Sequence, residues 1–321
     1  MVIRKLTARQ KLLGTAKYVR NRLRRRPLLV SLEMTRHCNA GCDFCDDWRT
    51  RHSPRLGDVV DMVQRLQPVV LALTGGEPLV EKRLPDLVRA IKASQSFIYV
   101  YVVTNGSLLT EARAADLFAA GLDQLSISMN YLDERHDQER HLPGLQAHLR
   151  DLVPRLAASG NTVVLNTVIM RDNLDQIVPI ARAAHAWGAL VSFSCYSPFK
   201  NGNRAHTVAP QEKAALQQVV AELQAHQRRC GNLTNSRYYL QRIVAYYEDP
   251  AGLPGCRAGN DFVQLTPDGR VRQCAEFSPF VDYRDWHGME PTSCSRCWNA
   301  CRGESEASLT LARVGELIRR T

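Results

Sequence analysis

An alternation of short β-rich runs with helical segments constrains the fold of this chain more than any other feature of its sequence. Gly121, Gly160 and Gly188 each directly follow a helical segment, where helices commonly end. Strands that alternate with helices indicate an α/β protein whose parallel sheet is connected by right-handed crossovers. Chemistry in such a sheet lies in the loops that follow the carboxyl ends of the strands. The predicted strands are Leu28–Glu33, Val69–Thr74, Phe97–Thr104, Leu125–Met129, Thr162–Met170 and Val191–Tyr196. The predicted helices between them are Leu56–Gln67, Leu84–Ser94, Thr110–Ala120, Leu145–Ser159 and Leu174–Trp187.

Composition bounds the class of protein and its compartment. A chain of 321 residues, 45% of them hydrophobic and 23% charged, is long enough for one large globular domain and a smaller one. It has no run of about 18 apolar residues, and no apolar segment with a cleavage site follows its basic N-terminus. These patterns argue against a membrane span and a secretory signal. The ten cysteines therefore indicate metal binding in a reducing cytoplasm.

The excess positive charge lies in an N-terminal arm, residues 1–27. Ten of the 42 Lys and Arg residues fall within the first 26 residues, which contain no acidic residue. Apolar residues spread through the arm predict an amphipathic helix. Such a helix either packs on the domain with its charged face in solvent, or it contacts an acidic partner or an anionic membrane surface. In the membrane case the protein would be peripheral to the inner membrane. Tyr18 is its one aromatic residue, so the arm's composition argues against nucleic acid.

Three cysteines lie directly after the first predicted strand. Cys38, Cys42 and Cys45 have the spacing C-x3-C-x2-C, which is close enough for three thiolates to meet at one metal centre. Three ligands are one fewer than a closed tetrahedral site or a fully ligated iron–sulfur cluster requires. The open position indicates catalysis rather than a structural role, although these residues alone are also compatible with part of a zinc site.

This motif, with Phe44 before its last cysteine, resembles the radical S-adenosylmethionine (SAM) superfamily. The resemblance continues in Thr74-Gly75-Gly76-Glu77-Pro78 after the second strand and Thr104-Asn105-Gly106 after the third. It implies an open, TIM-like partial (β/α)6 barrel in which three cysteines bind a [4Fe-4S] cluster and SAM occupies the open iron. It also implies reductive cleavage of SAM to a 5′-deoxyadenosyl radical that abstracts hydrogen from a substrate. Arg171 is either a partner of the SAM carboxylate or a surface arginine. The SAM-binding residues implied are Phe44, Gly75, Gly76, Glu77, Pro78, Asn105, Ser126, Ser128, Arg171 and Tyr196.

A second group of cysteines lies near the C-terminus. Cys256 and Cys274 frame a C-x12-G-x4-C pattern that resembles the opening of SPASM domains, with a predicted hairpin turn at 266–270. A full SPASM domain has more cysteines, so the segment is more similar to the truncated twitch form with one auxiliary [4Fe-4S] cluster. The resemblance favours Cys294 and Cys297 as the remaining ligands, with Cys301 spare or replacing one of the four. A structural zinc site is the alternative.

The predicted domains are the arm (1–27), a radical SAM core (28–200), a helical linker (201–250), a twitch-like cluster domain (251–301) and a C-terminal helix (302–321). Within the linker, helices are predicted over 210–229 and 238–247.

Function follows from the resemblance only in outline. The expected substrate is a small molecule, a sugar or a lipid intermediate, and the expected reaction is an oxidation or bond formation aided by the auxiliary cluster. An external one-electron reductant of the flavodoxin or ferredoxin type is implied. Cys195 on the sixth strand is either a hydrogen or proton donor to substrate or a small core residue. Alternative functions are a peptide-modifying maturase, an epimerase, and a non-catalytic protein that binds zinc or nucleic acid.

Overall fold

A computed structural model describes residues 6–50, 52–199, 201–275 and 280–307 of the protein. Its nine strands form one sheet in the order β6-β5-β4-β3-β2-β1-β7-β8-β9. The first six strands are parallel neighbours in chain order, as in a partial TIM barrel, and this confirms the expected α/β fold class. The strands are β1 Leu29–Thr35, β2 Val70–Gly75, β3 Tyr99–Thr104, β4 Gln124–Ser128, β5 Val163–Ile169, β6 Leu190–Cys195, β7 Phe262–Leu265, β8 Arg270–Arg272 and β9 Val281–Asp282.

Helices cover the outer face of the sheet and both ends of the chain that the structure describes. All five predicted crossover helices are present, as α2, α3, α4, α6 and α7, while the predicted helix over 238–247 is broken into α9 and α10. The helices are α1 Ala8–Leu23, α2 Val59–Leu66, α3 Leu84–Ala93, α4 Glu111–Ala119, α5 Arg135–Arg140, α6 Leu145–Ala158, α7 Leu174–Ala186, α8 Lys213–Cys230, α9 Arg237–Leu240, α10 Ile243–Glu248 and α11 Ala300–Glu306.

The cysteine-rich segment continues the barrel sheet instead of forming a detached unit. β7 pairs in parallel with β1 over four residues, and β8 and β9 extend the sheet in antiparallel fashion. The predicted hairpin is therefore present, although Cys256 lies before β7 and Cys274 after β8 rather than on its strands. The predicted C-terminal helix begins at Ala300, and residues 308–321 lie outside the described part of the chain.

The N-terminal arm forms α1, which lies across the amino-terminal ends of the first three strands. Lys17 Nζ donates to the carbonyl of Phe97, 2.7 Å away, just before β3. Asn21 Nδ2 donates to the carbonyls of Pro27 and Gln67, just before β1 and β2. α1 is thus packed on the domain at the end of the barrel opposite the strands' carboxyl ends.

None of the helices within the described ranges is both long and apolar enough to cross a bilayer.

Candidate functional site

A cavity of about 580 Å³ lies on the inner face of the sheet. Its walls come from the loop after β1, from β2 to β6 and from α11, so distant parts of the sequence meet there. Side chains of β4, β5 and β6 that point inward are mostly small and polar. Its lining includes Cys38, Cys42, Phe44, Cys45, Gly75, Gly76, Asn105, Ser126, Ser128, Asn130, Arg140, Asn166, Ser192, Ser194, Cys301 and Glu304.

The loop that carries the three cysteines is held by α5. The Gly41 N–H donates to the carbonyl of Arg140 at 3.0 Å, and the Asp43 N–H donates to that of Glu139 at 3.1 Å. Within the loop, the Cys45 N–H donates to the Cys42 carbonyl at 3.2 Å. All three cysteines line the same cavity, so the structure brings together the group that their spacing predicts.

A buried cation lies beside this loop. Arg140 is buried, its Nη1 donates to Cys42 Sγ at 3.5 Å, and its guanidinium lies 5.6 Å from the centre of the Phe44 ring. Burial raises the pKa of the Cys42 thiol, and the positive charge of Arg140 opposes that shift. The arginine therefore favours the thiolate, the form that binds iron.

Glu139 and Asn130 lie beside Arg140 under the cysteine loop. Glu139 is buried next to Arg140, with 3.9 Å between its Oε2 and Arg140 Nε, and it accepts a hydrogen bond from Asn130 Nδ2 at 2.8 Å. Burial raises the pKa of Glu139 to about 7, against the lowering effect of Arg140. Arg140, Glu139 and Asn130 were not predicted from the sequence. Their only signal was their position between β4 and α6.

Gly75 and Gly76 press the loop after β2 against the cysteine loop. A Cβ on Gly75 would lie 2.3 Å from the carbonyl oxygen of Thr35, and one on Gly76 would lie 2.0 Å from that of His37. Gly75 also has a φ of +123°, which side chains rarely adopt. Only glycine permits this contact, so the two sequence motifs are joined backbone to backbone.

Glu77 has a different position from the one its motif implies. It is fully buried, and its carboxylate accepts hydrogen bonds from the Thr104 hydroxyl at 2.7 Å and the N–H groups of Asn105 and Leu79 at 2.8 and 2.9 Å. Neither Glu77 nor Pro78 lines the cavity. With its carboxylate occupied by the protein, Glu77 fixes β3 against the glycine loop instead of facing a ligand.

Four of the other implied SAM-binding residues do line the cavity. They are Phe44, Asn105, Ser126 and Ser128. Asn105 Nδ2 also donates to Asn39 Oδ1 at 2.9 Å, which ties the end of β3 to the cysteine loop. These residues are brought together as the resemblance implies.

None of Arg171, Tyr196 and Cys195 lines the cavity, although Tyr196 is near enough to Cys45 for their charges to interact. Arg171 forms an ion pair with Glu212 at 2.8 Å, and the Tyr196 hydroxyl donates to the carbonyl of Asn203. Because side chains alternate along a strand, Ser192 and Ser194 of β6 face the cavity and Cys195 faces outward. Its thiol packs against the Tyr239 hydroxyl, and burial raises the pKa of Cys195 to about 12. It is a core residue.

The five C-terminal cysteines lie close together. Cys256, with Ala258 and Phe262, forms an apolar cluster against which Cys274, Cys294 and Cys301 pack. Cys297 is near enough to Cys256 and Cys274 for their charges to interact. Burial raises the pKa of Cys297 to about 12 and that of Cys301 to about 11.

Arg302 supplies positive charge to this second group. It is fully buried, and its guanidinium donates to the carbonyls of Cys297 and Pro254 and to Glu306 Oε1. Its charge lowers the pKa of both Cys256 and Cys297 against the effect of burial. A buried cation beside several thiols suits a centre bound by thiolates.

Cys301 lies between the two groups of cysteines. It packs with the C-terminal cluster and also lines the cavity, together with Glu304 one turn later on α11. Within the described residues, no three His, Cys, Asp or Glu side chains are arranged to hold a single metal ion. The donor set of three thiols facing an open cavity nevertheless has the chemistry that an iron–sulfur cluster with an open iron requires.

Known proteins of one class are similar to this chain. Residues 32–184 match the family model described as the radical SAM superfamily. The AdoMet-dependent heme synthase of Methanosarcina barkeri is 25% identical over 271 residues, 77% of this chain and 76% of that protein. The PqqA peptide cyclase of Granulibacter bethesdensis is 25% identical over 268 residues, 77% of this chain and 67% of that protein.

A likeness to solved structures extends over most of the fold. Streptococcus suis SuiB bound to the precursor peptide SuiA has a TM-score of 0.67 at 15% identity, and the match covers 86% of this chain and 66% of that one. At this identity the likeness shows the fold alone. Residues 32–184 are thus similar to the radical SAM superfamily, as the motifs predict, and that family implies catalysis with SAM and a [4Fe-4S] cluster.

Proposed function

We propose that this protein is a two-cluster radical SAM enzyme that modifies a small, polar substrate in the cavity beside Cys38, Cys42 and Cys45. The observation that carries the proposal is the joining of the cysteine loop and the Gly75–Gly76 loop around one cavity. The three thiols would hold the [4Fe-4S] cluster, which supplies, with SAM and a reductant of the flavodoxin or ferredoxin type, the 5′-deoxyadenosyl radical.

The inner wall of the cavity supports a polar substrate. Apart from Ser126 and Ser128, which the resemblance assigns to SAM, Asn166, Ser192 and Ser194 offer hydroxyl and amide groups but no charge. Such groups recognise hydroxyl, carbonyl or amide functions by hydrogen bonding. The charged lining residues include Arg140 at the cysteine loop and Glu304 on α11. Beside apolar lining residues such as Trp48, Val103 and Val164, these groups suit a molecule that carries hydrogen-bonding functions on a partly apolar body.

An auxiliary [4Fe-4S] cluster is proposed at the C-terminal cysteines. Cys256, Cys274, Cys294 and Cys297 would be its ligands, and Arg302 would stabilise their negative charge. Cys301 would be left as a thiol on the cavity wall or would replace one of the four. A cluster at this place supports a net oxidation or bond formation, because an electron remaining on the substrate would have an acceptor close by.

Iron content and SAM cleavage test the cofactor assignment. Protein purified and reconstituted without oxygen should hold about eight irons if both clusters contain four. With a strong reductant it should release 5′-deoxyadenosine, and Cys42→Ala should abolish that release. Cys256→Ala should lower iron by about half and spare the first cluster. A colourless protein that binds zinc would support the non-catalytic alternative, and cleavage by Cys42→Ala would refute the first site.

The substrate class needs its own experiment. Deuterium transfer into 5′-deoxyadenosine from labelled hydroxylated metabolites would identify the donor, and Ser192→Ala should lower that transfer more than SAM cleavage alone. A peptide substrate is the second candidate, favoured by the similarity to a PqqA peptide cyclase. Transfer from labelled peptides but from no small metabolite would replace the small-molecule proposal with this one.

A further inference from the structure

α1 presents an apolar stripe to solvent. Among the described residues, three of the five most exposed large apolar side chains lie on this one helix: Leu12 is 71% exposed, Val19 49% and Leu23 80%. They follow one another at positions i, i+7 and i+11, and so share one face. The buried residues of α1, Gly14, Lys17 and Asn21, are on the opposite face. The stripe is therefore the outer surface of a helix fixed to the barrel.

Positive charge flanks this stripe, and α1 contains no acidic residue. Arg9 and Arg20 are exposed on one flank, while Lys11 and Arg22 lie on the other, where Arg22 pairs with Asp261 at 2.8 Å. An apolar ridge between basic flanks is the pattern of a helix that lies in the interface of an anionic membrane.

An arginine-rich cavity of about 590 Å³ begins where α1 ends. Arg25 has a φ of +51°, and this left-handed residue reverses the chain after the helix. Arg26 Nη1 donates to the carbonyl of Arg65 on α2 at 3.0 Å. Burial lowers the pKa of Arg26, and the like charges of Arg20 and Arg24 lower it further. The cavity is lined by Arg24, Arg25, Arg26, Arg65, Trp286 and His287, together with two glutamines.

Trp286 gives this cavity an unused hydrogen-bond donor. The residue is only 8% exposed, and its Nε1 is buried and has no hydrogen-bond partner. A buried N–H without an acceptor is costly, and Trp286 is one of the residues that line the cavity, so an acceptor that enters the cavity would offer this donor a partner. No Asp or Glu of the described chain lines the cavity. The arginines and the indole N–H together match the oxygens of a phosphate group.

We propose that α1 and the arginine cavity form a docking site for an anionic phospholipid membrane. The stripe Leu12–Val19–Leu23 enters the interface, and the cavity receives a lipid phosphate. This inference does not depend on the reaction proposed above. Since α1 lies at the amino-terminal ends of the strands, the substrate cavity of the docked protein opens away from the bilayer.

Sedimentation with vesicles tests the proposal on the full-length protein. We expect binding to vesicles that contain phosphatidylglycerol and little binding to pure phosphatidylcholine. Leu12→Ser with Leu23→Ser, and separately Arg24→Gln with Arg25→Gln, should each weaken binding about tenfold or more. Trp286→Phe keeps an aromatic ring but removes the donor, and should weaken binding severalfold.

Matched variants on other surfaces serve as controls. Arg150→Gln with Arg228→Gln removes two exposed charges elsewhere, and Val80→Ser removes an exposed apolar side chain. Both should bind vesicles like the parent protein. Equal binding by all variants, or no preference for anionic vesicles, would overturn the proposal. Binding of inorganic phosphate that needs Arg24 and Arg25, without any vesicle binding, would instead identify a soluble phosphate ligand and refute membrane docking.

Discussion

Replacing Gly76 with alanine should damage the first cluster site through a backbone collision. The new Cβ would lie 2.0 Å from the carbonyl oxygen of His37, only one residue before Cys38. Two hydrogen bonds hold the loops together here: from the Gly76 N–H to the Thr35 carbonyl at 2.7 Å, and from the Glu77 N–H to the His37 carbonyl at 2.9 Å. The carbonyl cannot retreat without lengthening them, so the cysteine loop must shift.

The size of the effect follows from these two bonds. Losing both costs about 1–3 kcal/mol of unfolding free energy, since each contributes about 0.5–1.5 kcal/mol. Gly76 has no positive φ, so this cost comes from the collision and not from backbone strain. Gly144→Ala is a control in which backbone strain, and no collision, lowers stability. Gly144 has a φ of +81° with nothing within 4 Å of the added Cβ, so the variant should lose about 1–2 kcal/mol of unfolding free energy from strain alone.

The two variants should therefore lose similar stability but differ at the cluster. Urea unfolding of cluster-free protein measures stability, and iron content after anaerobic reconstitution measures the site. Gly76→Ala should lose the iron of the first cluster and release little 5′-deoxyadenosine, whereas Gly144→Ala should keep both. Full iron and full SAM cleavage in Gly76→Ala would show that the two loops do not depend on each other, and the reasoning would fail.

Three further outcomes are expected. Cys195→Ala should leave SAM cleavage unchanged and cost stability alone, because the thiol faces Tyr239; a loss of hydrogen abstraction with normal folding would contradict this placement. Burial lowers the pKa of Lys17 to about 7, so its charged form opposes folding and stability should rise with pH above 7, by up to about 1.4 kcal/mol per unit. Lys17→Met should flatten that rise in urea unfolding between pH 7 and 9, and an unchanged slope would contradict the burial of the amine. Cys301→Ser should alter the electron paramagnetic resonance spectrum of the auxiliary cluster or the product formed, while Cys230→Ser should alter neither; no change in Cys301→Ser would remove it from both sites.

Local patterns predicted most of the framework. Each of the six barrel strands starts and ends within two residues of its predicted position, because strand periodicity, helical periodicity and the glycines between them agree. Residues at motif positions, such as Cys42 and Gly76, also reached the cavity, since the strand before them fixes where their loop begins. The alternation along β6 would also have shown that Cys195 faces away from Ser194.

Other features depend on contacts between distant parts of the chain. Arg140 meets Cys42 because α5 folds under the cysteine loop, and no spacing in the sequence encodes that distance. Arg171 carries a charge that suits a carboxylate, but Glu212 lies closer to it than the cavity does. The pairing of β7 with β1 could likewise not be predicted from local sequence patterns, because most of the chain separates the two strands.

That pairing has a consequence for the two groups of cysteines. β1 ends in the loop of Cys38, and along its other edge it is hydrogen-bonded to the strand that follows Cys256. The segments that carry the two thiol groups are thus attached to neighbouring strands of one sheet, to β1 at its carboxyl end and to β7 at its amino end. Because the two strands are parallel, these points of attachment lie at opposite ends of the ladder, and Cys301 on α11 is the cysteine of the second group that reaches the cavity beside Cys38.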